Sequence, residues 1–329
     1  MFCKPPCLRP GDIVGIVAPA SPPPDPGAID ASMVFVRQLG FEPKLGTHVR
    51  DRCGFLAGTD AARASDLMDM FRDDSVRAIL CVRGGYGTAR LLPPAAPDRR
   101  RKALLDFAVI HRHPKILVGG SDITSLHFAL LEHAGIVPFH GPMLNSDFLK
   151  PELPDFTKTS FLRTLTRPTP PGSISQGYAG GTVKVLRGGS CRGRLIGGNL
   201  SILCATIGTK SLPSFRNRIL FFEDLCEAPY RFDRMLTHLL NAGLLQQLCG
   251  IAIGITANCG DPRATAANEH RQTLEDVFLD RLLPLKIPVI TGLPFGHVPH
   301  NATLPIGVMA TLDGRRGDLV IEEAAVRQR

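Results

Sequence analysis

Tryptophan is absent from this chain of 329 residues, and tyrosine occurs only three times. So few flat rings argue against a surface that binds nucleobases by stacking. No apolar run approaches the roughly 20 residues that a membrane-spanning helix needs, so no membrane partner is expected. Nine cysteines are present without a single C-x-x-C, and H-E-x-x-H is missing. Zinc-type spacing is therefore lacking, and neither a metal nor another cofactor is expected. The odd thiol count, with Cys81 and Cys204 inside apolar runs, reads as reduced, structural cysteine. The opening stretch MFCKPPCLRPGD carries prolines and no apolar core of a secretory signal. A cytoplasmic location is the expectation.

What is present is the composition of a folded chain: 44% hydrophobic and 21% charged residues. The length suits one large or two ordinary domains with an ample core. Net charge is +8, and part of the excess sits in DRRRK at 98–102. A short charge run reads as a solvated loop, so no nucleic-acid partner is expected. The weak positive field favours an acidic substrate.

Strand-like and helix-like segments alternate through the first half. DIVGIVAPAS (12–21), FEPKLG, VRAILCV (76–82) and KILVGG read as strands. DASMVFVRQLG (30–40), DAARASDLMDMFRD (60–73) with Asp60 as its cap, and DITSLHFALLEHAG read as helices. Such alternation predicts parallel βαβ units, with ligands at the carboxyl ends of the strands. Residues 1–167 are assigned to this α/β domain. The Pro-, Gly- and Ser-rich stretch 168–192 is expected to be a linker. Residues 193–329 are read as a second, β-rich α/β domain that includes RILFFED, GIAIGI, ATLPIGVMATLD and DLVIEE.

Two glycine-rich strand exits stand out: RGGYG at 83–87 and GGSDIT at 119–124. Ser121 admits three readings: a helix cap, part of a phosphate cradle, or a nucleophile. Glycines before a helix start permit anion binding by free N–H groups. Neither loop, however, has the P-loop lysine or the G-x-G-x-x-G spacing. A serine at a strand-to-helix turn has the logic of a nucleophile elbow, but Ile123 breaks the G-x-S-x-G pattern. A serine nucleophile needs a base, and the base an orienting acid. Among ten histidines, His297 and His300 fall in GLPFGHVPHN, a turn-rich loop after a strand. Among the acids, Glu223 ends the apolar run of ILFFED, with Asp224, Glu227 and Asp233 as competitors that periodicity does not separate.

Several long segments resemble the LD-carboxypeptidase family of serine peptidases. They are RPGDIVGIVAPAS, GFLAGTDAARASDL, AILCVRGGYGTARLLP, ILVGGSDIT, FHGPM, GRLIGGNLSIL, ILFFEDLCEAPYRFDRML and GLPFGHVPHNATLPIG, in order along nearly the whole chain. The family includes muramoyl-tetrapeptide carboxypeptidases and microcin C immunity-type peptidases. The resemblance implies a triad of Ser121, Glu223 and His297, with the oxyanion held by the N–H groups of Gly85 and Asp122. It implies an N-terminal α/β domain with the serine, a C-terminal barrel-like β-rich domain with the acid and base, and a homodimer. The implied activity releases D-alanine across an L–D bond of a murein tetrapeptide whose third residue is diaminopimelate or lysine. A peptidyl- or aminoacyl-nucleotide amide is the alternative substrate, and a non-catalytic phosphate-binding module the rival class. Arg83, Arg231 and Arg234 are candidates, by charge, to hold the substrate carboxylate, and Glu227 to line the cleft. One departure is a longer, more basic stretch at 93–102 than the family's usual connection.

Overall fold

The computed structural model describes residues 2–94, 104–260 and 272–329. DRRRK at 98–102, and with it most of the basic stretch at 93–102, lies outside the described residues. In the first half, β1 (Ile13–Val17), β2 (Glu42–Leu45), β3 (Val76–Cys81), β4 (Ile116–Gly119) and β5 (Phe139–His140) pair in parallel in the order β5-β4-β3-β1-β2. The second half adds β6 (Gly172–Ser173), β7 (Lys184–Arg187), β8 (Ser190–Asn199), β9 (Arg218–Glu223), β10 (Gly250–Gly254), β11 (Val289–Leu293), β12 (Leu304–Pro305), β13 (Met309–Asp313) and β14 (Asp318–Ile321). All of these except β12 form one sheet in the order β6-β14-β13-β8-β9-β10-β11-β7. Its middle, β8 to β11, is parallel, and its flanks are antiparallel. The sheet curls until β11 approaches β14 across four intervening strands. The expected α/β chain with a parallel first sheet and a β-rich, barrel-like second unit is what the structure has.

The apolar runs explain the layering. Successive residues of a strand face opposite sides of a sheet. In β4, Ile116 and Val118 join one apolar cluster while Leu117 joins the other. Both faces are covered, which is why β4 reads as a continuous apolar run rather than an alternating one. The helix Asp60–Arg72 covers one face through Leu67, Met70 and Phe71. The other face shares its cluster with Phe221, Ile253 and Leu293 of the second sheet. A single core thus runs through both sheets and sets their carboxyl ends toward each other.

Two local expectations need correction. The cap of helix Asp60–Arg72 is Thr59, whose hydroxyl accepts the Ala62 N–H, whereas Asp60 pairs with Arg63 and Arg90. The Thr59 backbone is extended, which is the cap conformation, while Asp60 is already helical. The strand in ATLP does not close the second sheet. Instead β12 lies antiparallel to β5 at the edge of the first sheet, where Pro305, lacking an N–H, is tolerated. Residues 168–192 contain β6 and β7, the two edges of the second sheet. Among the described residues, no helix is long and apolar enough to cross a membrane.

Candidate active site

Ser121 leaves β4 with φ +56°, in the left-handed region. A non-glycine residue there costs on the order of 1–3 kcal/mol and persists only where its surroundings fix it. It opens one tight turn, Ser121–Ile123, which runs into the helix Thr124–Ala129. The neighbouring loop presses on it. A Cβ at Gly84 would stand 2.8 Å from Ser121 Cβ and 3.3 Å from the Asp122 N. Gly85 follows with φ +107°, and Tyr86 N–H donates to Ser21 Oγ at 3.2 Å.

Side chains lock these loops together. Thr88 N–H donates to Asp122 Oδ2 at 2.9 Å, and Thr88 Oγ1 lies 2.6 Å from the Asp122 carbonyl. Burial pushes the Asp122 carboxyl up, and the Thr88 bonds oppose it. Arg63, 1% exposed, donates to the Gly87 carbonyl at 2.9 Å and to the Pro19 carbonyl. A helical arginine normally reads as surface, so local pattern does not mark this buried anchor.

The second sheet delivers the acid. Asn199 and Glu223 sit in register at the ends of β8 and β9. Asn199 N–H donates to Thr124 Oγ1 at 3.0 Å, tying β8 to the helix behind Ser121. Glu223 is wholly buried, and its Oε2 accepts from His297 Nδ1 at 2.6 Å. Asp224 is engaged elsewhere: it accepts from Ser201 N–H, Ser201 Oγ and Asn199 Nδ2 at 2.7–2.9 Å. Asp233 pairs with Arg281, and Glu227 with Arg231. Of the four competing acids, only Glu223 bonds His297.

Burial disfavours charge on both members of this pair. The hydrogen bond and opposite charge outweigh it, holding the His297 pKa above its ordinary value and that of Glu223 below. With Nδ1 bound to Glu223, Nε2 is the nitrogen left to handle a proton.

Ser121, Glu223 and His297 line one cleft of about 210 Å³, together with His140, Asp147 and Asn301. These last three were not singled out from sequence. His140 ends β5 and is 2% exposed; its Nδ1 has no partner, and burial drives its pKa to about 4. Asp147 is raised by burial against bonds from Met143 N–H and Asn301 Nδ2, each at 3.0 Å. Asn301 Oδ1 in turn accepts from Gly296 N–H at 3.3 Å, beside His297. Only the strand-end position of His140 offered any sequence signal; an isolated Asp or Asn in a loop offers none.

The remaining candidates fall elsewhere. His300 packs on the rings of Phe156 and Tyr178 and does not line the cleft. Glu227, Arg231, Arg234 and Arg83 are also absent from its lining. Arg83 neighbours Gly84; its Nη1 lies 3.4 Å from the Pro22 carbonyl, and its buried Nε has no partner.

Profiles of the LD-carboxypeptidase N-terminal and C-terminal domains match residues 14–141 and 192–312. A probable murein peptide carboxypeptidase of Bacillus subtilis is 38% identical over 97% of this chain and 94% of its own. The crystal structure of a muramoyltetrapeptide carboxypeptidase from Oxalobacter formigenes superposes with TM-score 0.79 at 30% identity, covering 96% of this chain and 100% of that one. The microcin C7 self immunity protein MccF superposes with TM-score 0.82 at 25% identity, covering 98% and 99%. The chain belongs to the LD-carboxypeptidase family.

Proposed function

We propose that the protein removes the C-terminal D-alanine from a murein tetrapeptide, with Ser121 as nucleophile, His297 as general base and Glu223 as the acid that orients it. The observation that supports this most is the 2.6 Å bond between Glu223 and His297 in a cleft that Ser121 also lines. Ser121 Oγ attacks the carbonyl of the L-centre of diaminopimelate or lysine, and its proton passes to His297 Nε2. The N–H groups of Gly85 and Asp122 receive the oxyanion. When the tetrahedral intermediate collapses, His297 returns the proton to the amine of the departing D-alanine. Water then repeats the sequence on the acyl-enzyme. Arg83 is the preferred anchor for the terminal carboxylate, because it adjoins the glycine loop and keeps an unpartnered buried Nε.

The reading extends to a homodimer in the cytoplasm, and to a division at 1–167 and 193–329 with 168–192 between. Light scattering tests the dimer. Release of D-alanine from purified tetrapeptide tests the activity; intact enzyme that leaves tetrapeptide untouched would sink the substrate assignment.

A second reading keeps the chemistry and changes the substrate to an aminoacyl-nucleotide amide. It is favoured by the superposition on MccF, one of whose structures holds aspartyl sulfamoyl adenosine. The exposed rings of Phe55 and Tyr86, 5.7 Å apart beside the RGGYG loop, offer a stacking face. Competing the two substrates for one enzyme decides between them by the ratio of kcat/KM.

A further inference from the structure

A second cavity, of about 480 Å³, opens at the opposite end of the first sheet from Ser121. Its wall is cationic and is built from separate stretches of chain. Arg77 stands at the start of β3, Arg112 ends the helix Phe107–Arg112, Lys115 leads into β4, and Arg327 comes from the C-terminal segment. The carboxylate in its lining, Asp74, faces His113 Nδ1 at 3.1 Å. The nearby Asp73 carboxylate is taken by Lys44 and Ser75. The side chains of Arg77, Arg112 and Arg327 make no hydrogen bond or ion pair among the described residues. Elsewhere, Arg63 and Arg90 share Asp60, and Arg194 meets Glu323.

Surface cations are ordinarily just solvated. Two features set this group apart: it lines a concavity, and one of its members is buried. Lys115 is 5% exposed, with its ammonium on the Asp73 carbonyl. Burial pulls its pKa down to about 8, against Asp73 and Asp74. An anion in the cavity would relieve the mutual repulsion and supply the acceptors that three guanidinium forks lack.

We infer that this cavity binds a small diphosphate-bearing anion, with Arg77, Arg112 and Arg327 as donors and Lys115 as the buried charge. The site lies across the length of β4 from the cleft and is independent of the peptidase reading. The same chemistry comes either as free inorganic diphosphate or as the diphosphate of an organic ester.

Calorimetric titration of the full chain, in chloride buffer at fixed ionic strength, tests this with inorganic diphosphate and with a nucleoside diphosphate. One saturable site per chain is expected. Tighter binding of the nucleoside diphosphate identifies an organic ester, and equal binding the inorganic ion. Arg77 and Arg112 are exposed, so Arg77→Gln/Arg112→Gln is expected to fold. That variant should bind at least tenfold more weakly while hydrolysing peptide at the wild-type rate. The inference is overturned by the absence of saturable heat with either probe, by unchanged affinity in the double variant, or by displacement of the anion by tetrapeptide.

Discussion

At the carboxyl end of the first sheet, Ser121 is held by backbone: a left-handed φ, a tight turn and the close approach of Gly84. At the end of the second sheet, Glu223 and His297 are held by side-chain hydrogen bonds, with Asn301 bracing the histidine loop. The first arrangement depends on space. The second depends on charge, and therefore on pH. If serine and base act as one unit, damage to either edge should stop the reaction, but by means that can be told apart.

The largest losses are expected at the two residues that exchange the proton. Ser121→Ala and His297→Ala should each lower kcat by about 10⁴-fold or more, with far-ultraviolet dichroism unchanged. Removing both should be little worse than removing one. Losses that multiply would break the comparison, because two edges contributing separately do not share a proton-transfer step.

Glu223→Gln comes next. It keeps the shape of the side chain and removes the charge that stabilises the imidazolium, so kcat should fall by about 10²- to 10⁴-fold. The acid limb of the kcat/KM profile should also move to lower pH, since His297 loses its main support. Asp224→Asn is the control: its carboxylate bonds Asn199 and Ser201, not His297. Near wild-type turnover in Glu223→Gln with collapse in Asp224→Asn would reassign the acid and leave the peptidase reading standing.

Much of this contrast was legible in the sequence, and the part that was not has a physical explanation. The βαβ order of the first half followed from period and turn residues, because β1, β3 and β4 are buried strands and the helices Ala28–Gln38 and Asp60–Arg72 each bury one face. Glu223 ends β9, while Ser121 and His297 follow β4 and β11 in loops where apolar runs break into polar or turn residues, and the family resemblance singled out these three. Periodicity stopped at Asp224, because adjacent acids at a strand end differ only in which way they turn. Pairing fixes that direction, through the Asn199–Glu223 register and the Ser201 bonds. The excursion of β12 to the first sheet was invisible because ATLP fits an edge strand of either sheet. Arg63, Asp147 and Asn301 take their roles from neighbours distant in sequence, and local pattern does not encode those.

The backbone edge can be probed by space alone. Gly84 is not left-handed, so Gly84→Ala asks little of the backbone conformation, yet its new methyl would meet Ser121 Cβ at 2.8 Å. The serine should be displaced by a fraction of an ångström, enough to lower kcat by about 10- to 100-fold. KM and the pH profile should change little, because no charge is altered. A shifted acid limb in this variant would mean that the two edges are not separable.

The smallest expected effect concerns Asp147, which reaches His297 through space and through Asn301 and Gly296 rather than by direct contact. His297 serves as base only when neutral, so kcat/KM rises with pH as the imidazolium loses its proton. A negative charge nearby stabilises the imidazolium and moves that rise to higher pH. Glu223 and Asp147 both act in this sense, Glu223 more strongly because it bonds the ring. Asp147→Asn should therefore move the acid limb to lower pH, by less than Glu223→Gln does, while the plateau stays within a few-fold of wild type. The amide oxygen can still accept from Asn301 Nδ2, so that brace should survive, while the bond that Oδ2 accepts from Met143 N–H is lost. A limb that stays in place would remove Asp147 from the electrostatics of the base. A plateau that collapses would make it a positioning residue, and the hydrogen-bonded edge would then be as intolerant of rearrangement as the backbone one.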